Sequence, residues 1–298
     1  MHMRWKSWLM LALALLLTLA CTIPLPQIPT PAPLTLIEPV DQQKTIAAEG
    51  VSEASVRLGL YVGDLTLRSS ATVPFFDGHF RYNVAEWEPV IHEEKVGAAL
   101  RLTVNQGLGT QLPLADGEQY SNAWDITLGN ALPVELTADL GVGTANLDLG
   151  GIPLTGLSVT AGSGNVVLAW ATPNPQPRET LRLTAGTGAV IDTKLGNANF
   201  DRLSFVGGTG DVDLDLSGTW TRSALGDIKA GTGKITVRTP AGVGVRLNFS
   251  GTSLSDLHTV GFSEQSEKVF VNADYGKVPL TLTLNVAIAV GDVTVIAP

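Results

Sequence analysis

From about residue 44 the chain alternates between apolar and polar positions. In "SVRLGLYVGDLTLRS" (55–69), Val56, Leu58, Leu60 and Val62 are apolar, the chain turns at Gly63-Asp64, and Leu65 and Leu67 resume the pattern. A period of two marks strands with one buried face. No helical stripe with capping residues follows residue 20, so the reading is all-β. Residues 70–106 are less regular and hold Phe75, Phe76, Phe80, Tyr82 and Trp87. Strands joined by loops are predicted there, with these aromatics capping one end of a core.

The alternation is organised by a repeat. Gly-x-Gly pairs lie at 107/109, 141/143, 162/164, 186/188, 208/210 and 231/233, spaced by 21 to 24 residues from Gly141 onward. A fixed period of this size marks a stack of like units. Two residues after the second glycine stand Ala145, Val166, Val190, Val212 and Ile235; four after stand Leu147, Leu168, Asp192, Leu214 and Val237. Even offsets share one strand face, so these columns form an inner ladder when strands stack about 4.8 Å apart. The prediction is a β-solenoid, a single-stranded β-helix-like stack of rungs of about 22 residues. Gly141, Gly143, Gly162, Gly164, Gly186, Gly188, Gly208, Gly210, Gly231 and Gly233 are its corner residues, where a positive φ and a close approach between rungs are expected.

Odd offsets face outward. Stacking in register pairs Asp211 with Lys234 and Asp215 with Arg238 across neighbouring rungs, a device for register worth about 0–1 kcal/mol per exposed pair. Asp192 falls in an inward column, and a carboxylate there is costly to bury, so the strand is expected to end at Ile191 or bulge, turning Asp192 to water. "VGDLTL" (62–67) and "VGDVTV" (290–295) resemble each other and read as the first and last rungs. The polar stretch 250–268 reads as a loop interrupting the rack, and Val293–Ile296 as its exposed edge.

The N-terminus departs from all this. Arg4 and Lys6 precede a continuous apolar run at 8–20, broken only by Thr18, and then Cys21, the chain's one cysteine. The run is short for a spanning helix and suits a signal segment. Leu19-Ala20-Cys21 resembles a bacterial lipobox, which makes Cys21 the lipidated residue. Residues 22–40 hold six prolines and favour an extended stalk. The expected division is 1–20 signal peptide, 21–43 lipidated cysteine and Pro-rich stalk, and 44–298 solenoid domain.

Composition narrows the partners. The full chain carries 19 basic and 28 acidic residues, a formal net charge of −9. Cleavage before Cys21 removes Arg4 and Lys6 and leaves 17 against 28, or −11. Nucleic acid, which rewards clustered Lys and Arg, is excluded as a partner. The expected contacts are a membrane through the lipid on Cys21, then envelope glycans, other envelope proteins or further copies of the chain.

"FRYNVAEWEPVIHEEKVGAALRLTVNQG" (80–107), "NAWDITLGNALPVELTADLGVGTANLDLGGIPLTGLSV" (122–159) and the repeated "AGTG" rungs together resemble the bacterial toast-rack family of envelope proteins. That family is similar to LiaF-like cell-wall-active-antibiotic-response proteins and to proposed adhesin head domains. The resemblance spans residues 45–298 and implies a β-solenoid outside the cytoplasm. It brings no catalytic residues with it.

The residues themselves offer little chemistry. Gly186-Thr187-Gly188 and Gly208-Thr209-Gly210 lack the third glycine of a dinucleotide cradle, and strands follow them. "GGTGDVDLD" (207–215) approaches a calcium nonapeptide, but Val212 stands where an aspartate is required. No metal site is expected; Asp211, Asp213 and Asp215 are the weak candidates for calcium. His79, His92 and His258 have no zinc spacing. No cofactor is implied. Trp124, Trp170 and Trp220 read as packing or capping residues, with sugar stacking as the alternative. The reading is a lipid-anchored envelope protein, not an enzyme, serving as an adhesion, binding or scaffold module. The alternatives are an envelope-stress regulator and a carbohydrate-active β-helix enzyme.

Overall fold

A computed structural model describes residues 34–107 and 120–298. Strand β1 (Leu36–Ile46) is followed by β2 (Glu53–Val62) and β3 (Asp64–Ser70). Then come β4 (Phe76–Val84), a 3₁₀ turn at Ala85–Trp87, β5 (Pro89–Val96), β6 (Ala99–Gln106) and β7 (Asn122–Gly129). Four pairs follow in order: β8 (Val134–Val142) with β9 (Ala145–Asp148), β10 (Leu154–Ser163) with β11 (Val166–Ala169), β12 (Arg178–Thr187) with β13 (Val190–Thr193), and β14 (Phe200–Thr209) with β15 (Val212–Asp215). Strand β16 (Ala224–Arg238) runs through its corner unbroken. The chain closes with β17 (Gly244–Gly251), β18 (Ser255–Val260), β19 (Phe262–Ser266), β20 (Val269–Asn272) and β21 (Thr281–Ile296). The described residues contain no α-helix, only 3₁₀ turns at Ala85–Trp87 and Leu195–Ala198.

The strands form two walls of one bent sheet. The long-strand wall runs β5, β6, β2, β8, β10, β12, β14, β16, β21, β17, β20, β19. The short-strand wall runs β1, β4, β7, β3, β9, β11, β13, β15, β16, β21, β18. Pairing is parallel from β6 to β17 in the first wall and from β7 to β18 in the second, with antiparallel strands beyond. The fold is an all-β solenoid whose core lies between the walls. Val166, Val190, Val212 and Ile235 align in register, as the glycine spacing predicts, and all four are buried.

Several expectations change. Residues 36–43 belong to β1, which pairs with β4, so the solenoid begins before residue 44. Pro39 is tolerated because β1 is an edge strand, and the register shifts around it between Leu36 and Val40. Neither "VGDLTL" nor "VGDVTV" ends the stack. The unit β2–β3 is followed outward by β6 and β7, and β21 is inserted between β16 and β17–β18. The edge at Val293–Ile296 is therefore covered, and β18 lies outside it. Most of the stretch 250–268 is strand: it completes the last unit and starts the β19–β20 hairpin. The signal segment, Cys21, the prolines before residue 34 and Gly109 lie outside the described residues.

Candidate functional site

The corners are built from glycine because nothing larger fits. Gly188 has φ +134°, and a Cβ on it would lie 1.9 Å from the carbonyl oxygen of Gly164. Gly143, Gly164, Gly210 and Gly233 meet the preceding corner in the same way. The first glycine of each pair is crowded without a positive φ: a Cβ on Gly141 would be 2.1 Å from the Tyr61 oxygen, on Gly162 2.7 Å from Gly141, on Gly186 2.3 Å from Gly162, on Gly208 2.3 Å from Gly186, and on Gly231 2.6 Å from Gly208. Backbone hydrogen bonds cross the column, including Gly164 N–H to Thr187 O at 2.8 Å and Gly188 N–H to Thr209 O at 3.0 Å. These glycines hold the architecture and present no cradle for a ligand.

Side chains continue the ladder where backbone leaves off. The residue after a corner glycine caps the next rung: Asp64 accepts from Thr144 N–H at 2.9 Å, Asn165 from Ala189 N–H at 3.1 Å, and Asp211 from Lys234 N–H at 3.1 Å. At the first end Gln106 accepts from the N–H groups of Tyr61 and Val62, at 2.9 and 2.8 Å, and Asn122 donates to Val62 O at 2.7 Å. Away from the corners, buried Asn174 accepts from Leu154 N–H and donates to Leu154 O and Ala198 O. Asn197 donates to Trp170 O and accepts from Thr219 N–H. Sequence pattern missed these asparagines, because polar residues in connecting segments carry no period.

The acidic candidates are dispersed among such tasks. Asp213 pairs with Arg238 across the rung, which replaces the expected Asp215–Arg238 pair. The Asp213 carboxylate pushes the Arg238 guanidinium above its usual range. Asp215 accepts from Ser217 N–H at 2.9 Å, and Asp211 takes a backbone bond from Lys234 in place of an ion pair with its ammonium. Among the described residues no group of three or more His, Cys, Asp or Glu is assembled around a common point.

Asp192 contradicts its expectation. It is 1% exposed, lies within β13 and aligns with Leu168 on one side and Leu214 on the other. The ladder keeps its register through the carboxylate because Val190 and the flanking rungs fix which face is inward. Trp124 and Trp170 are buried, which removes them as sugar platforms. Trp220 is half-buried, edge-on to Phe200 at 5.6 Å, and its indole donates to Leu216 O. Phe75, Phe76, Phe80, Tyr82 and Trp87 are buried at the first end of the core. His79 sits 3.9 Å from Asp77, while His92 and His258 stand on separate edge strands.

Two surfaces remain as candidates for binding. One is a shallow groove of about 250 Å³ on the outer face of the short-strand wall, lined by Thr66, Arg68, Asn146, Asp148, Val167 and Ala169. It offers hydroxyl, amide and charged groups around a small apolar floor. Arg68 is 3.3 Å from Asp125, and Asp148 accepts from Gly150 N–H, so its charges are already engaged. The other is the outer face of the long-strand wall, where Arg202, Asp227, Asn285 and Asn248 form a continuous hydrogen-bonded row over four rungs.

Residues 37–190 and 174–238 match the family described as the N-terminal domain of toast_rack. The chain belongs to the toast-rack family. No curated protein matches it. Among solved structures, the toast-rack chain is similar to a proposed cell adhesion protein from Clostridium sporogenes, with 21% identity, TM-score 0.47, and coverage of 88% of this chain and 100% of that one. It is also similar to a proposed adhesin from Bacteroides fragilis, with 13% identity, TM-score 0.33, and coverage of 87% and 97%. A proposed lipid binding protein from Parabacteroides distasonis shows 11% identity, TM-score 0.33, and coverage of 86% and 96%.

Proposed function

We propose that this toast-rack protein is an extracytoplasmic binding or scaffold module, anchored to a bacterial membrane through a lipid on Cys21. One observation supports the non-enzymatic reading most. Five acids on the outer faces are spent on arginines: Asp139 on Arg57, Asp125 on Arg68, Asp227 on Arg202, Asp201 on Arg222 and Asp213 on Arg238. A glycosidase needs two carboxylates held apart across one substrate bond. Here the carboxylates serve register along the stack. The anchor rests on the sequence "LAC" after an apolar run.

The test uses the full chain in its host. Metabolic labelling with a fatty acid should mark the wild-type protein and spare Cys21→Ser, which should leave the membrane fraction. Equal labelling of both would sink the anchor. The purified chain should retain one class of envelope component, glycan, lipid or protein; retention of none would remove the binding role.

A further inference from the structure

The groove on the outer face of the short-strand wall has a composition that selects its occupant. Outward residues cross the strands there in register: Thr66 on β3, Asn146 on β9, Val167 on β11 and Ile191 on β13 form one row. Asp148, Ala169 and Thr193 form the next, with Arg68 of β3 beside them. Ala169 is the smallest side chain of its row, so the surface dips between Asp148 and Thr193. Ile191 is 41% exposed and bounds the dip beside Val167. Val167 and Ala169 are its aliphatic floor, and the rim is polar. Asn146 presents an exposed amide, a donor and an acceptor together, and Thr66 a hydroxyl that does both. One oxygen of Asp148 accepts from Gly150 N–H at 3.2 Å, which leaves the other as an acceptor. Arg68 meets Asp125 through one guanidinium nitrogen, and its other N–H groups remain as donors.

We propose that this groove binds one neutral pyranose unit of an envelope glycan. The inference rests on the binding-module reading and names its ligand. A pyranose carries an aliphatic C–H face and a rim of hydroxyls, each able to donate and to accept, and the groove mirrors both. Its volume, about 250 Å³, lies just below the ~300–1,000 Å³ of sites for drug-sized ligands, which suits a single ring. The groove is shallow, so the ring can belong to a chain lying along the wall. Other occupants fit worse. A phosphate or carboxylate needs surplus positive charge, and here Arg68 is offset by Asp125, with Asp148 in addition. A peptide adding as a strand needs a free backbone edge; β3, β9 and β11 each have a strand on both sides. An acyl chain needs a longer apolar surface than two short side chains supply.

The test applies the full chain, solubilised in a detergent without a sugar headgroup, to an array of neutral oligosaccharides of hexoses and N-acetylhexosamines. Phosphorylated, uronic-acid and amino-sugar glycans stand beside them. The best neutral binder is then titrated in solution. Binding should be saturable, at one ligand per chain, and at least tenfold tighter than for the charged glycans. Ala169→Ile fills the dip without entering the core, because position 169 lies in the outward row of Asp148 and Thr193, and it should weaken binding at least tenfold. Asn146→Ala should weaken it several-fold; if Ala169→Ile fails to fold, that variant decides. Thr236→Ile, outward on β16 and outside the groove, should bind as the wild type does. Equal binding by Ala169→Ile, preference for charged glycans, or no neutral glycan bound would each overturn the proposal. Retention of an envelope lipid or protein with no neutral glycan bound would sink the groove and leave the broader reading standing. Retention of no envelope component would remove that reading as well.

Discussion

Gly188 stands directly against the carbonyl oxygen of Gly164, so close that an added Cβ would lie 1.9 Å from it. That contact, repeated along the corners, sets how tightly successive rungs fold over. Gly188→Ala must relieve the overlap and also hold a φ of +134°, a conformation costing a non-glycine residue about 1–3 kcal/mol before any clash. The expected loss in denaturant unfolding is at least about 3 kcal/mol. Gly242, at φ +71° with open space around it, is the control: alanine there should cost about 1–2 kcal/mol.

Asn174 joins three turns of the stack through one buried side chain. Asn174→Ala removes the donor to Leu154 O and Ala198 O in a place water does not reach, while Leu154 N–H keeps its bond to Ile152 O at 2.8 Å. The expected cost is about 2–3 kcal/mol, measured by chemical unfolding. Asn199 also bonds to this segment, donating to Asn174 O at 3.2 Å, but through a backbone carbonyl that survives the substitution.

Arg238 and Asp213 form a pair whose side chains are 49% and 42% exposed. Solvent screening limits such a pair to about 0–1 kcal/mol. A double-mutant cycle should find a coupling in that range, reduced in 1 M salt. A larger, salt-insensitive coupling would mean that the pair does more than fix register.

Glu86 accepts a hydrogen bond from Thr35 N–H at 2.9 Å, which holds its carboxyl below the usual range. A depressed folded value means the contact contributes at pH above the ordinary carboxylate range and is lost as pH falls through the folded value. Exchange of the Thr35 amide should accelerate, beyond its intrinsic pH dependence, on acidification through that window. Glu86→Gln should abolish the transition.

The regular part of the fold was legible because it is local and repeated. Val166, Val190, Val212 and Ile235 fall two residues after a corner glycine, and that offset alone gives their register. The insertion of β21 ahead of β17 was not legible, because "VGDVTV" carries the corner pattern but says nothing of which neighbour it pairs with. Asp192 was misread by its chemistry: a carboxylate prefers water, yet Leu168 and Leu214 beside it bind the strand to its register. The Arg238 partner was misread because in-register pairing ignores the diagonal reach of a guanidinium. Where each wall ends, at β18 and at β19, is set by the last hairpin, which no local period encodes.

The most direct test of the account is to load the full chain with each envelope fraction and measure retention and released sugar together. The account predicts saturable retention of one component at no more than a few equivalents per chain, with no new reducing ends over the blank. Multiple turnovers of released sugar, abolished by changing an outer-face carboxylate such as Asp213 to Asn, would contradict it.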